Sequence, residues 1–276
     1  MQYRTDLAME AVAQGAHACE WEQDGVRLYR VSLDEAGARR WGNPKGEYLT
    51  ATLPPLTDDE TFLEQTAKRL GASLARLLPS EGTVLVVGLG NEQITPDALG
   101  PRTASYILAT RHIPDELARS VGLHGLRPCA VITPGVLGNT GLESGEVVAG
   151  VCRTARPAAV IAVDALAARS PERLGCTVQF SDTGIAPGSG VGNDRRALTK
   201  ETLGVPVIGL GVPTVVDAES IVREATGVTP PDGRAMMVTP REIDLLIDRA
   251  SRLLAMTVHA ALQPAYSPLE LLCVAR

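Results

Sequence analysis

The sequence is poor in aromatic side chains, with two Phe, two Trp and five Tyr among 276 residues. Few aromatic rings are available to stack on nucleic-acid bases, and the core must be packed from Val, Leu, Ile and Ala. A surplus of basic residues is also missing, since 26 Lys and Arg face 32 Asp and Glu, which gives a net charge of −6. Phosphate backbones repel such a protein, so we predict no direct nucleic-acid partner.

Long apolar runs and paired cysteines are missing as well. No stretch approaches the roughly 18 apolar residues of a membrane-spanning helix. The N-terminus has neither the basic region nor the apolar region of a secretory signal. The five cysteines show no CxxC spacing, and their odd number fits a reducing compartment better than a disulfide framework. These features predict a soluble cytoplasmic protein with no membrane partner.

Signatures of several common hydrolases are absent. The four histidines show no HExxH spacing, which excludes a zinc peptidase of that type, and no G-x-S-x-G nucleophile elbow occurs. We interpret each histidine as a surface residue or a hydrogen-bonded core residue. The glycine-rich segment 187–193 lacks the Lys-Ser/Thr ending of a phosphate-binding loop, so we predict a substrate-facing loop there.

The pattern that is present alternates short apolar runs with helical periodicity. It predicts one α/β domain with a mostly parallel sheet flanked by helices, preceded by a strand-rich N-terminal extension. The predicted strands are 26–33, 48–53, 83–87, 129–132, 158–163, 176–180 and 205–210. Four helices are predicted. The first has its N-cap at Thr57, and the others span 102–111, 143–153 and 241–262.

Two aspartates fall at or just beyond predicted strand ends. Asp97 lies in the loop after the 83–87 strand, and Asp164 directly follows the apolar run that ends at Val163. Ligands and catalytic groups of parallel sheets gather at this edge. Two carboxylates that share a proton can activate a water and protonate a leaving amine. Spacing alone is equally compatible with structural roles, in which Asp164 caps a helix and Asp97 fixes a turn.

The triplet Asp182-Thr183-Gly184 matches the active-site triplet of pepsin-like and retroviral proteases. Those enzymes need two such triplets in an all-β fold, or one from each chain of a dimer. This chain has one triplet in an α/β pattern, so we do not assign it the pepsin-type role.

The sequence resembles one family in particular, the germination proteases of spore-forming bacteria. The resemblance rests on segments that follow one another in order across most of the chain. These segments are Arg4-Thr5-Asp6-Leu7-Ala8, Gly88 to Asn91, Thr95 to Pro101, Thr133 to Val136, Asp164 to Ser170, Ser181 to Gly184, Pro187 to Asn193 and Gly211 to Asp217.

The resemblance implies a phosphorylase/hydrolase-like α/β fold, similar to that of hydrogenase-maturation endopeptidases, and a homotetramer. It implies an atypical aspartic endopeptidase in which Asp97 and Asp164 are catalytic. Candidate substrate-loop residues are Asn91, Asp182, Ser189 and Asn193. It favours a pair without a metal or other cofactor, and the alternative is a weakly bound ion at Asp97 and Asp164.

The resemblance also implies a substrate and a form of control. The substrates would be small acid-soluble spore proteins, degraded during germination in the spore core after synthesis of the enzyme in the forespore. The enzyme would be a zymogen that cuts itself between Leu7 and Ala8, which makes residues 1–7 a short pro-segment and 8–276 the peptidase domain. Alternatives are a metal-dependent processing endopeptidase of the hydrogenase-maturation type, a phosphorylase-like hydrolase and a non-catalytic scaffold.

Overall fold

The strands of the described chain join in one mixed sheet. The computed structural model describes residues 5–14, 17–23, 26–41, 43–120, 122–188, 196–228 and 236–275. The strands are β1 Ala18–Gln23, β2 Val26–Leu33, β3 Gly46–Thr52, β4 Val84–Gly88, β5 Cys129–Ile132, β6 Ala159–Ala168, β7 Thr177–Ser181, β8 Val207–Asp217 and β9 Met237–Val238. Their order across the sheet is β1-β2-β3-β7-β8-β6-β4-β5, and β9 pairs with β8.

The strand directions divide the sheet into two parts. β5, β4, β6 and β8 are parallel neighbours, whereas β1, β2, β3 and β7 continue the sheet with antiparallel pairing. The predicted α/β fold with a parallel sheet flanked by helices is confirmed. The antiparallel direction of β7 could not be read from its sequence, because a short strand buried on both faces shows the same pattern whichever way it runs.

Helices cover both faces of the parallel strands. They are α1 Glu35–Trp41, α2 Leu63–Ala75, α3 Leu99–Ser105, α4 Asp115–Ser120, α5 Leu137–Thr140, α6 Ser144–Ala155, α7 Lys200–Leu203, α8 Ala218–Thr226, α9 Ile243–Leu262 and α10 Pro268–Val274, with 3₁₀ helices at Ala8–Gln14, Thr95–Asp97 and Pro171–Arg173. α2, α3 and α9 pack on the face with Val84 and Val86. α6 and α7 pack on the face with Leu85 and Val87. β4 is buried on both sides, which explains its continuous apolar run.

Two predicted boundaries are wrong, namely the start of the first long helix and the end of the strand that contains Asp164. The first long helix begins at Leu63 rather than after Thr57, because the Asp59 carboxylate accepts the N–H of Thr61 and stabilises a turn there. Asp164 does not end its strand, since β6 continues to Ala168. The strand can extend past this polar residue because β8 remains paired with it to the end.

None of the helices in the described ranges is both long enough and apolar enough to cross a lipid bilayer.

Candidate active site at the end of strands β4 and β6

Asp97 is held in a tight turn that follows β4. It ends the 3₁₀ helix Thr95–Asp97, and its backbone N–H donates to the carbonyl of Ile94 at 2.8 Å. Its Oδ2 accepts the backbone N–H of Asn91 at 2.7 Å. The side chain is half-buried. A carboxylate that accepts a backbone N–H is fixed in direction, so the loop presents this acid in one orientation.

Two glycines allow this turn to lie directly against the strand ends. Gly90 has a φ of +112°, and a Cβ there would lie 2.0 Å from the carbonyl oxygen of Asp97. A Cβ on Gly100 would lie 2.2 Å from the carbonyl oxygen of Leu89 and 2.4 Å from that of Val163. Only glycine fits such close backbone contacts. The segment that carries Asp97 is therefore clamped onto the ends of β4 and β6.

Asp164 lies in β6 at the point where β4 stops. Its neighbour Val163 pairs with the last residue of β4, Gly88, and accepts the N–H of Leu89 at 2.8 Å. The Asp164 side chain is only 5% exposed, and its Oδ1 accepts the N–H of Ala165 at 2.9 Å. Asp164 thus lies at the carboxyl-terminal edge of the parallel strands, where ligands of such sheets gather.

The two aspartates are brought to the same edge of the sheet. The turn with Asp97 contacts both β6 and β8, and the buried Thr214 hydroxyl on β8 donates to the carbonyl of Pro96 at 2.8 Å. Two carboxyl groups that meet at such an edge can hold one proton between them and take or give protons to a bound water. The catalytic roles of Asp97 and Asp164 stay a prediction.

The other substrate-loop candidates are placed differently. Asn91 lies beside Asp97, and its side-chain oxygen accepts the N–H of Gln93 at 3.0 Å. Asp182 is exposed in the turn after β7, where its Oδ1 accepts the N–H of Glu47 at 2.8 Å. Because β7 runs opposite to β8, Asp182 points away from the edge that carries Asp164. Ser189 and Asn193 lie outside the described residues.

The predicted self-cleavage site is buried against the sheet rather than exposed. Leu7 and Ala8 both have no exposed surface. Leu7 packs on Leu166 and Ala168 of β6, and Ala8 donates its N–H to the side-chain oxygen of Gln179 at 2.9 Å. The segment around the Leu7–Ala8 bond therefore lies along the same strand as Asp164.

Sequence reasoning missed two polar residues that hold this segment, Glu10 and Gln179. Both are almost fully buried, with 8% and 6% of their surface exposed. A signal for Gln179 was present, because a long side-chain amide in a short buried strand needs hydrogen-bond partners. Glu10 gave no such signal, since it lies in the 3₁₀ helix Ala8–Gln14, and no local sequence pattern reports that this helix docks on β6.

The histidines take no part in this edge. His17, His112 and His124 are exposed, whereas His259 is buried in α9 and accepts the N–H of Leu108 at its Nε2. Burial lowers the pKa of His259 to about 4, which keeps it neutral. In the part of the chain that the structure describes, no group of three or more His, Cys, Asp or Glu is placed to share a metal ion.

Comparison with known proteins assigns the family. The sequence model of the germination protease family matches residues 4–229. A germination protease from Caldanaerobacter subterraneus is 39% identical, with 97% of this chain and 96% of that protein covered. Those from Geobacillus sp. and Bacillus cereus are each 45% identical over 79% of this chain, which spans 64% of their length.

A solved structure is also similar in part. The NiFe hydrogenase maturation protease HycI from Thermococcus kodakarensis matches 67% of this chain and 98% of its own, with a TM-score of 0.38 and 17% identity. The family match covers most of the sequence, including both aspartates. The chain belongs to the germination protease family, a family of peptidases.

Proposed function

We propose that this chain is an endopeptidase that begins the degradation of small acid-soluble spore proteins during germination, with Asp97 and Asp164 as its catalytic pair. The observation that carries the proposal is the shared position of the two aspartates where β4 ends beside β6. Membership of the germination protease family supports the substrate class.

The proposed reaction needs only the two carboxyl groups and a water. One carboxylate takes a proton from the water as its oxygen bonds to the carbonyl carbon of the substrate. The other carboxyl group gives a proton to the nitrogen as the C–N bond breaks, which leaves a free acid and a free amine. The N–H of Asn91 holds one oxygen of Asp97 in place, which leaves the other oxygen to exchange the proton in either role. We propose no metal or other cofactor in these steps.

We further propose that the chain is made as a zymogen that cuts itself between Leu7 and Ala8. Both residues are buried against their own sheet, so another molecule would have to open the segment before attacking it. A cut within one molecule has no such cost, because the bond is already held near the catalytic strand. Release of residues 1–7 would be the activating event.

Assembly and location complete the proposal. We propose a homotetramer that acts in the forespore and spore core, without direct binding to nucleic acid or membrane. The net charge of −6 supports an enzyme that takes its substrates once they have left the DNA. Analytical ultracentrifugation of the purified chain measures the assembly.

Asparagine variants of the two aspartates test the proposal. Asp97→Asn and Asp164→Asn remove one ionisable group each with almost no change in shape. We expect each to lower kcat for hydrolysis of a small acid-soluble spore protein by about 10²–10⁴-fold. N-terminal sequencing should find Met1 in both variants and Ala8 in the mature parent enzyme.

The matched control is Asp182→Asn, which changes the same side chain away from the crevice. It should leave hydrolysis unchanged. Activity should also survive a chelator, and its loss there would instead favour a metal-dependent processing peptidase. Full activity in Asp97→Asn or Asp164→Asn would show that the pair is not catalytic, and a mature enzyme that keeps Met1 would remove self-processing.

A further inference from the structure

Three large aliphatic side chains are exposed on the segments that follow β4 and β5. Ile94 is 53% exposed, Leu137 43% and Leu142 53%. Ile94 lies in the Asp97 turn itself, where its carbonyl accepts the N–H of Asp97 at 2.8 Å. Leu137 begins α5, and Leu142 lies two residues beyond the end of that helix. Single exposed aliphatic residues are ordinary, whereas a group of them beside a site marks a surface that a partner covers.

A hydrogen bond between two asparagine side chains joins these segments. Asn139 of α5 donates its Nδ2 to Oδ1 of Asn91 at 3.4 Å, and the backbone N–H of Asn91 binds the Asp97 carboxylate at 2.7 Å. β4 and β5 are parallel neighbours, so both segments leave the same edge of the sheet. Each of the three aliphatic residues is at most three positions from one of these asparagines, which limits the Cα–Cα distance between them to about 11 Å. The three residues therefore lie around the Asp97 turn.

The glycine inside α5 is not required by the fold. Gly138 does not have the positive φ that favours glycine, and a Cβ there would meet no atom of the described residues within 4 Å. Alanine stabilises a helix better than glycine does. An exposed glycine next to Leu137 that the fold does not need leaves room for the backbone of a bound peptide to approach closely.

We propose that Ile94, Leu137 and Leu142 form an apolar subsite that binds aliphatic side chains of the substrate close to the bond that is cut. By the apolar subsite we mean these three side chains together with Gly138. An extended peptide advances about 3.3–3.6 Å per residue, so a peptide whose scissile bond lies at Asp97 reaches the subsite with side chains three or four positions away. This inference rests on the proposed peptidase function, and it makes the three aliphatic residues determinants of specificity.

The test compares two labelled peptides on the purified mature chain. One is Thr-Asp-Leu-Ala-Met-Glu, the sequence around the proposed cut, and the other has Ala in place of Leu and Met. In both, the third peptide bond is replaced by a CH₂–NH group, so that neither peptide can be cut. Fluorescence anisotropy measures Kd. We expect the parent chain to bind the aliphatic peptide about 10–100-fold more tightly than the alanine peptide, because burial of the Leu and Met side chains is lost in the second.

Three variants make the subsite polar with little change in shape. Ile94→Thr keeps the branched side chain at an extended residue, and Leu137→Gln and Leu142→Gln keep the length of the side chain. Each should reduce the preference for the aliphatic peptide by about 3–10-fold. With a small acid-soluble spore protein as substrate, each should raise KM by a similar factor and leave kcat nearly unchanged. A variant that only loosened the Asp97 turn would lower kcat and keep the preference.

The matched control is Leu117→Gln. Leu117 is 56% exposed on α4, in the connection that leads into the beginning of β5. The same substitution is therefore made at an equally exposed leucine outside the subsite. It should leave the preference and KM unchanged.

Gly138→Ala tests the proposed approach of the peptide backbone. The added Cβ has open space in the described chain, so Tm should stay the same or rise. Both peptides should nevertheless bind about 10-fold more weakly, because the methyl group takes the room of the bound backbone. Unchanged binding of both peptides would show that no backbone passes over Gly138 and would remove it from the subsite.

The outcomes separate this proposal from the proposed function. If the parent chain does not prefer the aliphatic peptide, or if all three variants keep its preference, the apolar subsite is refuted even when Asp97 and Asp164 prove catalytic. If the preference falls in the variants and not in Leu117→Gln, but the parent chain hydrolyses no spore protein, the subsite stands and the peptidase function falls.

Analytical ultracentrifugation of the same variants distinguishes a substrate from a second copy of the chain. We expect the three variants to keep the assembly of the parent. A changed assembly together with an unchanged peptide preference would make this surface a contact between subunits and would overturn the proposal. Should one variant fail to fold, the other two decide.

Discussion

Gly100→Ala should weaken both the fold and the catalytic edge, because Gly100 is where the Asp97 segment meets β4 and β6. A Cβ at this position would lie 2.2 Å from the carbonyl oxygen of Leu89, 2.4 Å from that of Val163 and 2.5 Å from the nitrogen of Leu89. All three atoms belong to the backbone, so no side chain can rotate away. The segment itself must move.

The size of the effect follows from these distances. Real Cβ atoms essentially never approach another heavy atom closer than 3.0 Å, so the segment must shift by about 1 Å, as overpacked cores do. Overpacking of this kind costs about 1–3 kcal/mol in the free energy of unfolding. A displacement of about 1 Å between catalytic groups can lower the rate by ~100-fold. We therefore expect a moderate loss of stability and a larger loss of kcat.

Chemical denaturation and hydrolysis of a spore protein measure the two effects. Gly150→Ala is the control with the opposite sign, because Gly150 lies in α6 and meets only the end of the Arg153 side chain at 3.8 Å. It should raise the free energy of unfolding by about 0.5–1 kcal/mol and leave kcat unchanged. If Gly100→Ala keeps the stability and kcat of the parent, the segment is not clamped and the proposed position of Asp97 is wrong.

Two further predictions concern the contact of Thr214 with Pro96 and the buried His259. Thr214→Val removes the hydroxyl that donates to the Pro96 carbonyl, so it should lower the free energy of unfolding by about 1 kcal/mol and also lower kcat. The control Thr257→Val loses a hydrogen bond within α9 and should leave kcat unchanged. His259 has a pKa lowered by burial to about 4, against 6.5 in the unfolded chain, so the unfolded state binds its proton first as pH falls. Stability from neutral His259 is complete above pH 6.5 and is lost towards pH 4, and by pH 4.5 the loss is about 2–3 kcal/mol. Urea denaturation at pH 7 and pH 4.5 should show a smaller loss in His259→Gln, and an equal loss would mean that His259 is not the buried neutral group.

The parallel part of the fold could be predicted because its signal is strong and local. The run of apolar residues from Val84 to Val87 must be buried on both faces, and the structure places it between two parallel strands. The long helix predicted from Arg241 to Leu262 is confirmed within two residues at its start. In each case the hydrophobic pattern and the burial agree over several turns or a whole strand.

The site could be predicted only in part, because its geometry depends on strand lengths and on a distant segment. Asp164 marked a polar break in an apolar run, yet it lies inside β6, since the neighbouring strand β4 is the one that stops. Docking of Glu10 onto Arg169 and Ser170 joins residues about 160 positions apart. No hydrophobic periodicity reveals such a contact. In the sequence, a buried glutamate in a short segment cannot be told from a surface glutamate until the N–H groups that it accepts are known.

The difference in length between β4 and β6 links the proposed aspartate pair to the proposed self-cleavage at Leu7–Ala8. Where β4 ends, its chain turns back through Asn91 and places the Asp97 turn at the edge of the sheet where Asp164 also lies. Where β6 continues beyond β4, Ala167 bonds instead to Asp6 of the same chain, which covers an edge that would otherwise be open to any extended chain. The same mismatch therefore accounts for the position of the proposed catalytic acids and for the docking of the segment around Leu7 on β6. The Leu7–Ala8 bond is therefore held beside the strand that carries Asp164, as the proposed self-cleavage requires.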